Sequence, residues 1–259
     1  GGGRFGGRSF GPAPGCRCPV ALAGIGDCLY VCHGSASNGP SEWQRDLMER
    51  NSSGSVWLLE PGSGDRHRIA DGLAFPAGIL AEQETLIVSE SWRHRLIRLD
   101  RARGGLLGVP LGDLPGYPGQ ISRGGEHDYL LSVFAPRSQL VEFVLREPRY
   151  RRRMLKEIEP RYWISPTWRA GLSFYEPLQG GGVKHLGILK PWAPTRSFGM
   201  VVRMDRDCLP IESFQSRADG RTHGIVGAVR HGASLYAASR GDGVVVRLDG
   251  VFGADVEAT

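Results

Sequence analysis

The side chains that could do chemistry are few and scattered. His223 opens the run His223-Gly224-Ile225-Val226, and an imidazole can give or take a proton near neutral pH. That makes His223 the candidate catalytic residue. The competing assignment, and the commoner one, is a hydrogen-bonding histidine that anchors a strand start. Gln120, in Tyr117-Pro118-Gly119-Gln120-Ile121, carries both a donor and an acceptor. Glu90 closes the apolar run Leu86-Ile87-Val88-Ser89, and Glu176 lies on a separate segment. Two such carboxylates can share acid–base work only if the fold joins them, and a solvated turn is the ordinary place for Glu90. No G-x-S-x-G, H-E-x-x-H or Walker-type run is present.

Of the five cysteines, Cys16, Cys18, Cys28, Cys32 and Cys208, no two pairs have zinc-finger spacing. Cys28 and Cys32 flank Leu29-Tyr30-Val31. Positions an even number apart share a strand face, so the two are expected to be buried together as small hydrophobes. Reduced structural cysteines are the expectation, with a redox or metal role for Cys16 and Cys18 as the alternative.

The elements that must position these groups are repeated strands. Phe75-Pro76-Ala77-Gly78-Ile79 leads to Thr85–Ser89 and then Arg95–Asp100; Tyr117-Pro118-Gly119-Gln120-Ile121 leads to Tyr129–Val133 and then Gln139–Phe143. Pro76 and Pro118 stand 42 residues apart, the length of one four-stranded propeller blade. A third copy runs His223–Val226, Ser234–Ala238 and Gly243–Asp249. A fourth runs Pro19–Leu22, Cys28–Val31 and Ser55–Glu60. Glu60, Asp100, Asp205 and Asp249 mark where a third strand meets its outer hairpin. With 38 glycines and 17 prolines in 259 residues, tight turns between short strands are expected throughout.

Two segments interrupt this rhythm. In Pro40–Glu49, Ser41 and Gln44 have capping-box spacing, and Trp43 and Leu47 share a helix face. In residues 149–158, Tyr150, Met154 and Ile158 do the same. There Arg149 and Arg151–Arg153 sit where positive charge opposes the helix dipole, so packing must hold the helix. A solvated face is the expected role of that arginine cluster. Pro160–Pro194 has no clear period and reads as a long structured connection over one end of the propeller. Residues 1–15 are rich in Gly and Pro and read as a linker or disordered segment, too poor in Arg for an RGG-type tail. Residues 16–259 form the propeller domain.

The net charge of +5 is too modest to imply a nucleic-acid partner. No run approaches the length needed to span a bilayer, and no signal-peptide pattern is present.

Arg45–Glu49 followed by Gly54-Ser55-Val56, then Phe75–Ile79, Ser89-Glu90-Ser91, Leu114-Pro115-Gly116-Tyr117-Pro118 and His231-Gly232-x-x-Leu235-Tyr236 together resemble the strictosidine-synthase-like and gluconolactonase-type (SMP-30-like) β-propellers. The resemblance covers roughly residues 18–249. It implies an all-β fold of four-stranded antiparallel blades with short helical inserts, of the six-bladed type. The abrupt Gly1-Gly2-Gly3 start suggests that part of an N-terminal blade is missing. Relatives include lactone hydrolases that use a divalent metal and an alkaloid-forming condensing enzyme.

Departures from that pattern bear on chemistry. Ala77 stands where the hydrolases carry a channel-mouth Asn, and Gly119-Gln120 replaces Asp-Asn. A methyl group and a hydrogen cannot ligate a hard cation, so no cofactor and no metal site are expected. The stretch where the condensing enzyme has its acid/base Glu reads Arg217–His223, without Glu. His33 stands where relatives tend to carry Asp, and could face the channel. The candidate ligand-contacting residues are therefore Gln120, His33, Glu90 and Ala77, with His223 the candidate for proton transfer. Ala77, Gln120 and His223 are expected at equivalent points of three blades, converging on one end of the channel. The expected ligand is a small organic molecule, and lactone or ester hydrolysis is the activity the resemblance implies. A non-catalytic propeller binding a ligand or protein is the alternative.

Overall fold

The chain is described by a computed structural model over residues 17–60, 62–171, 197–217 and 220–253. The expected linker 1–15, Cys16, Glu176 and most of the connection up to Pro194 lie outside those residues. Among the described residues four antiparallel sheets follow one another in chain order. The first blade comprises β1 (Pro19–Ile25), β2 (Cys28–His33), β3 (Gly54–Leu59) and β4 (Arg66–Leu73). The second comprises β5 (Pro76–Ala81), β6 (Thr85–Glu90), β7 (Arg95–Asp100) and β8 (Leu106–Leu111). The third holds β9 (Gly116–Arg123), β10 (Asp128–Pro136), β11 (Met200–Asp205) and β12 (Pro210–Gln215). The fourth has three strands among the described residues: β13 (Ile225–His231), β14 (Ser234–Ser239) and β15 (Val244–Leu248).

Each sheet is a meander whose first strand lies innermost, and β1, β5, β9 and β13 touch in that order. The blades stack face to face, which explains why the middle strands are apolar on both sides. Residues 86–90 of β6 and 128–135 of β10 are buried without alternation. Ala21, Tyr30, Cys32 and Val56 meet Ile79, Leu86, Val88 and Ile97 between the first two blades. Ile87, Leu96, Leu131, Val133 and Met204 fill the next gap. Leu130, Val201, Ile225, Leu235 and Ala237 fill the last. Outer strands such as β8 and β12 are largely exposed. The acidic residues that end these third strands have a local task. Asp100 Oδ1 accepts the backbone N–H groups of Ala102 and Arg103 at 2.9 and 2.7 Å. Asp205 Oδ1 accepts those of Asp207 and Leu209 at 2.9 and 2.8 Å, tightening the turn into the outer strand.

Helices form a cap over one end. The β2–β3 connection carries α1 (Trp43–Met48) after a 3₁₀ turn at Pro40–Glu42. The β10–β11 connection carries α2 (Gln139–Arg146) and α3 (Pro148–Glu157). Trp43, Leu47, Met48, Val141, Val144, Met154 and Trp163 share an apolar layer with Phe75, Tyr117 and Phe134. Cys32 is fully buried and Cys28 packs against the same inter-blade cluster, as their shared strand face demands.

Three local expectations are corrected. Gln139–Phe143 is not the third strand of its blade but the start of α2, because Val141 and Val144 bury a helical face while Phe143 points to solvent. The third strand is β11, far downstream. Ser41 and Gln44 form no capping box. The reciprocal bond runs from the Gly39 N–H to Glu42 Oε2 at 3.1 Å, and Gln44 instead ties α1 to Ser165 and Pro166. Of the expected trio only Met154 is buried; Tyr150 and Ile158, the latter just past the end of α3, are exposed.

Candidate functional site

Every innermost strand carries an irregularity at the same place. In β1 Pro19 pairs His33 and Ala21 pairs Cys32, leaving Val20 unpaired. In β5 Pro76 pairs Glu90 and Gly78 pairs Ser89, leaving Ala77. In β13 Ile225 pairs Ser239 and Gly227 pairs Ala238, leaving Val226. In β9 Gly119 and Gln120 lie between the Pro118–Val133 and Ile121–Leu131 pairs. Such bulges turn a side chain out of the ladder. All four turn it into one cavity of about 350 Å³, lined by Val20, Ala77, Gly119, Gln120 and Val226. The glycines are required by the crowding: a Cβ on Gly78 would collide with the Gly119 carbonyl, which is itself held by Ser89 Oγ at 2.7 Å.

The cap supplies the remaining walls. Trp43, Phe75, Phe134 and Trp168 line the cavity with Pro19, Pro40 and Arg240. Trp168 lies 4.6 Å from Trp43 and 5.2 Å from Phe134 between ring centroids. Its loop is fixed by Gln44 Nε2, which donates to Ser165 Oγ at 2.9 Å and to the Pro166 carbonyl at 2.8 Å. Behind the aromatic wall Trp92 stacks on Phe75 at 4.4 Å, and its Nε1–H reaches the buried Asp46 carboxylate at 2.8 Å. The Arg240 guanidinium carbon stands 4.6 Å above the Trp168 ring, and its side chain is exposed. Gln120 Nε2 donates to the Val20 carbonyl at 3.1 Å, joining the third blade to the first across the channel.

The structure thus brings Ala77 and Gln120 together and sets the other three candidates apart from the cavity lining. Glu90 is fully buried, where a turn position was the ordinary expectation. It accepts the Ala74 N–H at 2.8 Å and pairs with Arg93 at 2.5 Å and Arg95 at 2.6 Å. It anchors the second blade's opening. His33 is buried and stacks on Trp57 at 6.2 Å, and burial lowers its pKa.

His223 occupies the blade position of Ala74 and not that of Ala77. The Gly224 and Phe75 carbonyls make matching turn bonds to Arg240 and Ser91, and both residues have left-handed φ, 60° and 57°. Val226 is therefore the true equivalent of Ala77, three residues beyond the expected one. His223 Nδ1 lies 2.9 Å from Asp242 Oδ2, and its backbone N–H donates to the same oxygen at 2.7 Å. Burial pushes the Asp242 carboxyl upward, yet these His223 bonds bring it below its ordinary range.

The lining does not fit the divalent cation that the hydrolase resemblance implies. Its described side chains offer one neutral amide oxygen and no carboxylate, and hard cations need several oxygen ligands. Among the described residues no three His, Cys, Asp or Glu side chains group together as a metal site. Sequence reasoning missed Val20, Val226, Trp43, Phe134, Trp168 and Arg240. Pro19-Val20 and Ile225-Val226 match Pro76-Ala77 in place, and this was the available signal.

No protein-family model matches the chain. Over 106 residues it is 28% identical to strictosidine synthase-like protein 13 of Arabidopsis thaliana, a stretch covering 39% of this chain and 26% of that protein. Among solved structures, a luciferin-regenerating enzyme superposes with a TM-score of 0.48 at 10% identity, over 88% of this chain and 62% of that one. Regucalcin from Agrobacterium tumefaciens, described as a calcium-binding protein, gives 0.45 at 11% identity, over 88% and 60%. The chain spans about a quarter of the length of the curated relative and under two thirds of each of these structures. The sequence match, on a chain folded as antiparallel blades, bears out the resemblance to the strictosidine-synthase-like propellers.

Proposed function

We propose that the chain takes a small, flat, largely apolar organic molecule into the cavity where its four blades open. The observation that carries this reading is the convergence of all four strand irregularities on one aromatic-walled space of about 350 Å³, a size and lining suited to a small ligand. The polar end of the ligand is served by the Gln120 amide and the Arg240 guanidinium. Arg240 has a planar fork that suits a carboxylate or similar anion. Binding without turnover is favoured, because no described lining side chain is a carboxylate, imidazole, hydroxyl, thiol or amine. No step through a metal is part of this reading.

One observation favours hydrolysis as a second reading. Asp242 orients the His223 imidazole as a carboxylate orients a general base, and the pair neighbours Val226 and Arg240 in sequence. A panel of aryl esters and lactones, assayed with and without EDTA, separates the two. Saturable binding without turnover is the expected result. Turnover that survives EDTA and disappears in His223→Gln would establish the second reading instead.

A further inference from the structure

The positive charge of the molecule is concentrated in one insert. Residues 139–169 hold eight basic and four acidic side chains, a net charge of +4 in a chain whose total is +5. Within α3, Met154 faces the cap, while Arg149, Arg152, Arg153 and Lys156 are all exposed. At 100° per residue these four fall on a single stripe opposite Met154. Arg151, at the flank, has its pKa lowered by burial and by the neighbouring charges of Arg50 and Arg152. No acid occupies the first turn of α3, although acids there would stabilise the helix and cations oppose its dipole. Glu147, Glu157 and Glu159 are the acids nearby, and Glu157 is engaged by Arg153 at 3.3 Å.

Large apolar groups are exposed on the same insert. Phe143 is 60% exposed, Tyr150 50%, Ile158 46% and Tyr162 41%. An insert that carries both a cationic stripe and exposed aromatic and aliphatic groups suits a charged surface with a hydrocarbon layer beneath it. Nucleic acid would satisfy the arginines but leave Phe143 and Ile158 in water. We infer that the α2–α3 insert docks the protein on an anionic phospholipid surface. The same helices help build the cap that walls the cavity, so docking would set the ligand cavity beside the lipid. The inference stands whether or not the cavity reading holds.

The test is sedimentation of the full chain with vesicles of phosphatidylcholine alone and of phosphatidylcholine mixed with phosphatidylserine. Binding to the mixed vesicles only, weakening as salt rises, is the expected result. Each cation near such a surface contributes roughly fivefold in partitioning, so R152E/R153E should lower it by more than about tenfold. F143S should lower it further at a salt concentration where wild type still binds. Equal binding to both vesicle types, no binding to either, or charge reversal without effect would overturn the inference. So would tighter binding to duplex DNA or single-stranded RNA than to the mixed vesicles at the same salt.

Discussion

Glu90 shows how far a residue's task can lie from its sequence context. It ends an apolar strand, yet its carboxylate is buried between Arg93, Arg95 and the Ala74 N–H. Removing the carboxylate leaves the buried Ala74 N–H without its acceptor, at about 1–3 kcal/mol, while Arg93 and Arg95, 44% and 28% exposed, keep their access to water. Glu90→Ala should lower the denaturation midpoint accordingly, and Glu90→Gln by less. Glu142 offers a pH test. The His94 imidazole and the Arg137 guanidinium, at 3.4 and 3.5 Å, hold its carboxyl at about 2 against an ordinary 4.5. A depressed folded-state pKa contributes stability that is complete above the ordinary value and is lost as pH falls through the folded one. Denaturation midpoints measured from neutral pH downward should therefore fall between about pH 4.5 and 2, and Glu142→Gln should flatten that part of the curve. His223 was legible as a polar residue near the channel, but its offset was not. The fourth blade opens with Gly224 where the second has Phe75, so no aromatic-Pro pair marked the register, and only backbone pairing identifies Val226.

At the scale of elements, strands were legible wherever both blade faces are buried. Ile87 and Leu131 lie in unbroken apolar runs, and turn residues close each run. The Gln139–Phe143 segment misled because five residues of mixed polarity satisfy a period of two as easily as a helical one. Val144, beyond the window, settles it. The bulges left no trace in composition, since a residue skipped by the ladder can be of any type. They nonetheless set how closely β5 and β9 approach, with Gly78 against the Gly119 carbonyl. Gly78→Ala forces these strands apart, and overpacking of this kind costs about 1–3 kcal/mol. The variant should unfold at lower denaturant and bind ligand more weakly. Wild-type stability in Gly78→Ala would contradict the close approach.

For the whole molecule, the blade repeat was readable from the 42-residue period, and with it the convergence of Ala77 and Gln120, but the rest of the cavity was not. Its walls join Val20 to Trp168 and Arg240, residues brought together only by stacking four blades beneath a helical cap. The Gln120 bond to Val20 ties the first and third blades across that space, a pairing no local pattern encodes. Fluorescence titration with anilinonaphthalene sulfonate, an aromatic anion, tests directly whether this cavity is a ligand site. Wild type should bind one molecule per chain, unaffected by EDTA. Arg240→Ala should weaken binding about tenfold, as expected for the loss of a charge-assisted hydrogen bond. Val226→Trp, which fills the cavity, should abolish binding while the circular dichroism spectrum is unchanged. Undiminished binding by a folded Val226→Trp protein would contradict the account.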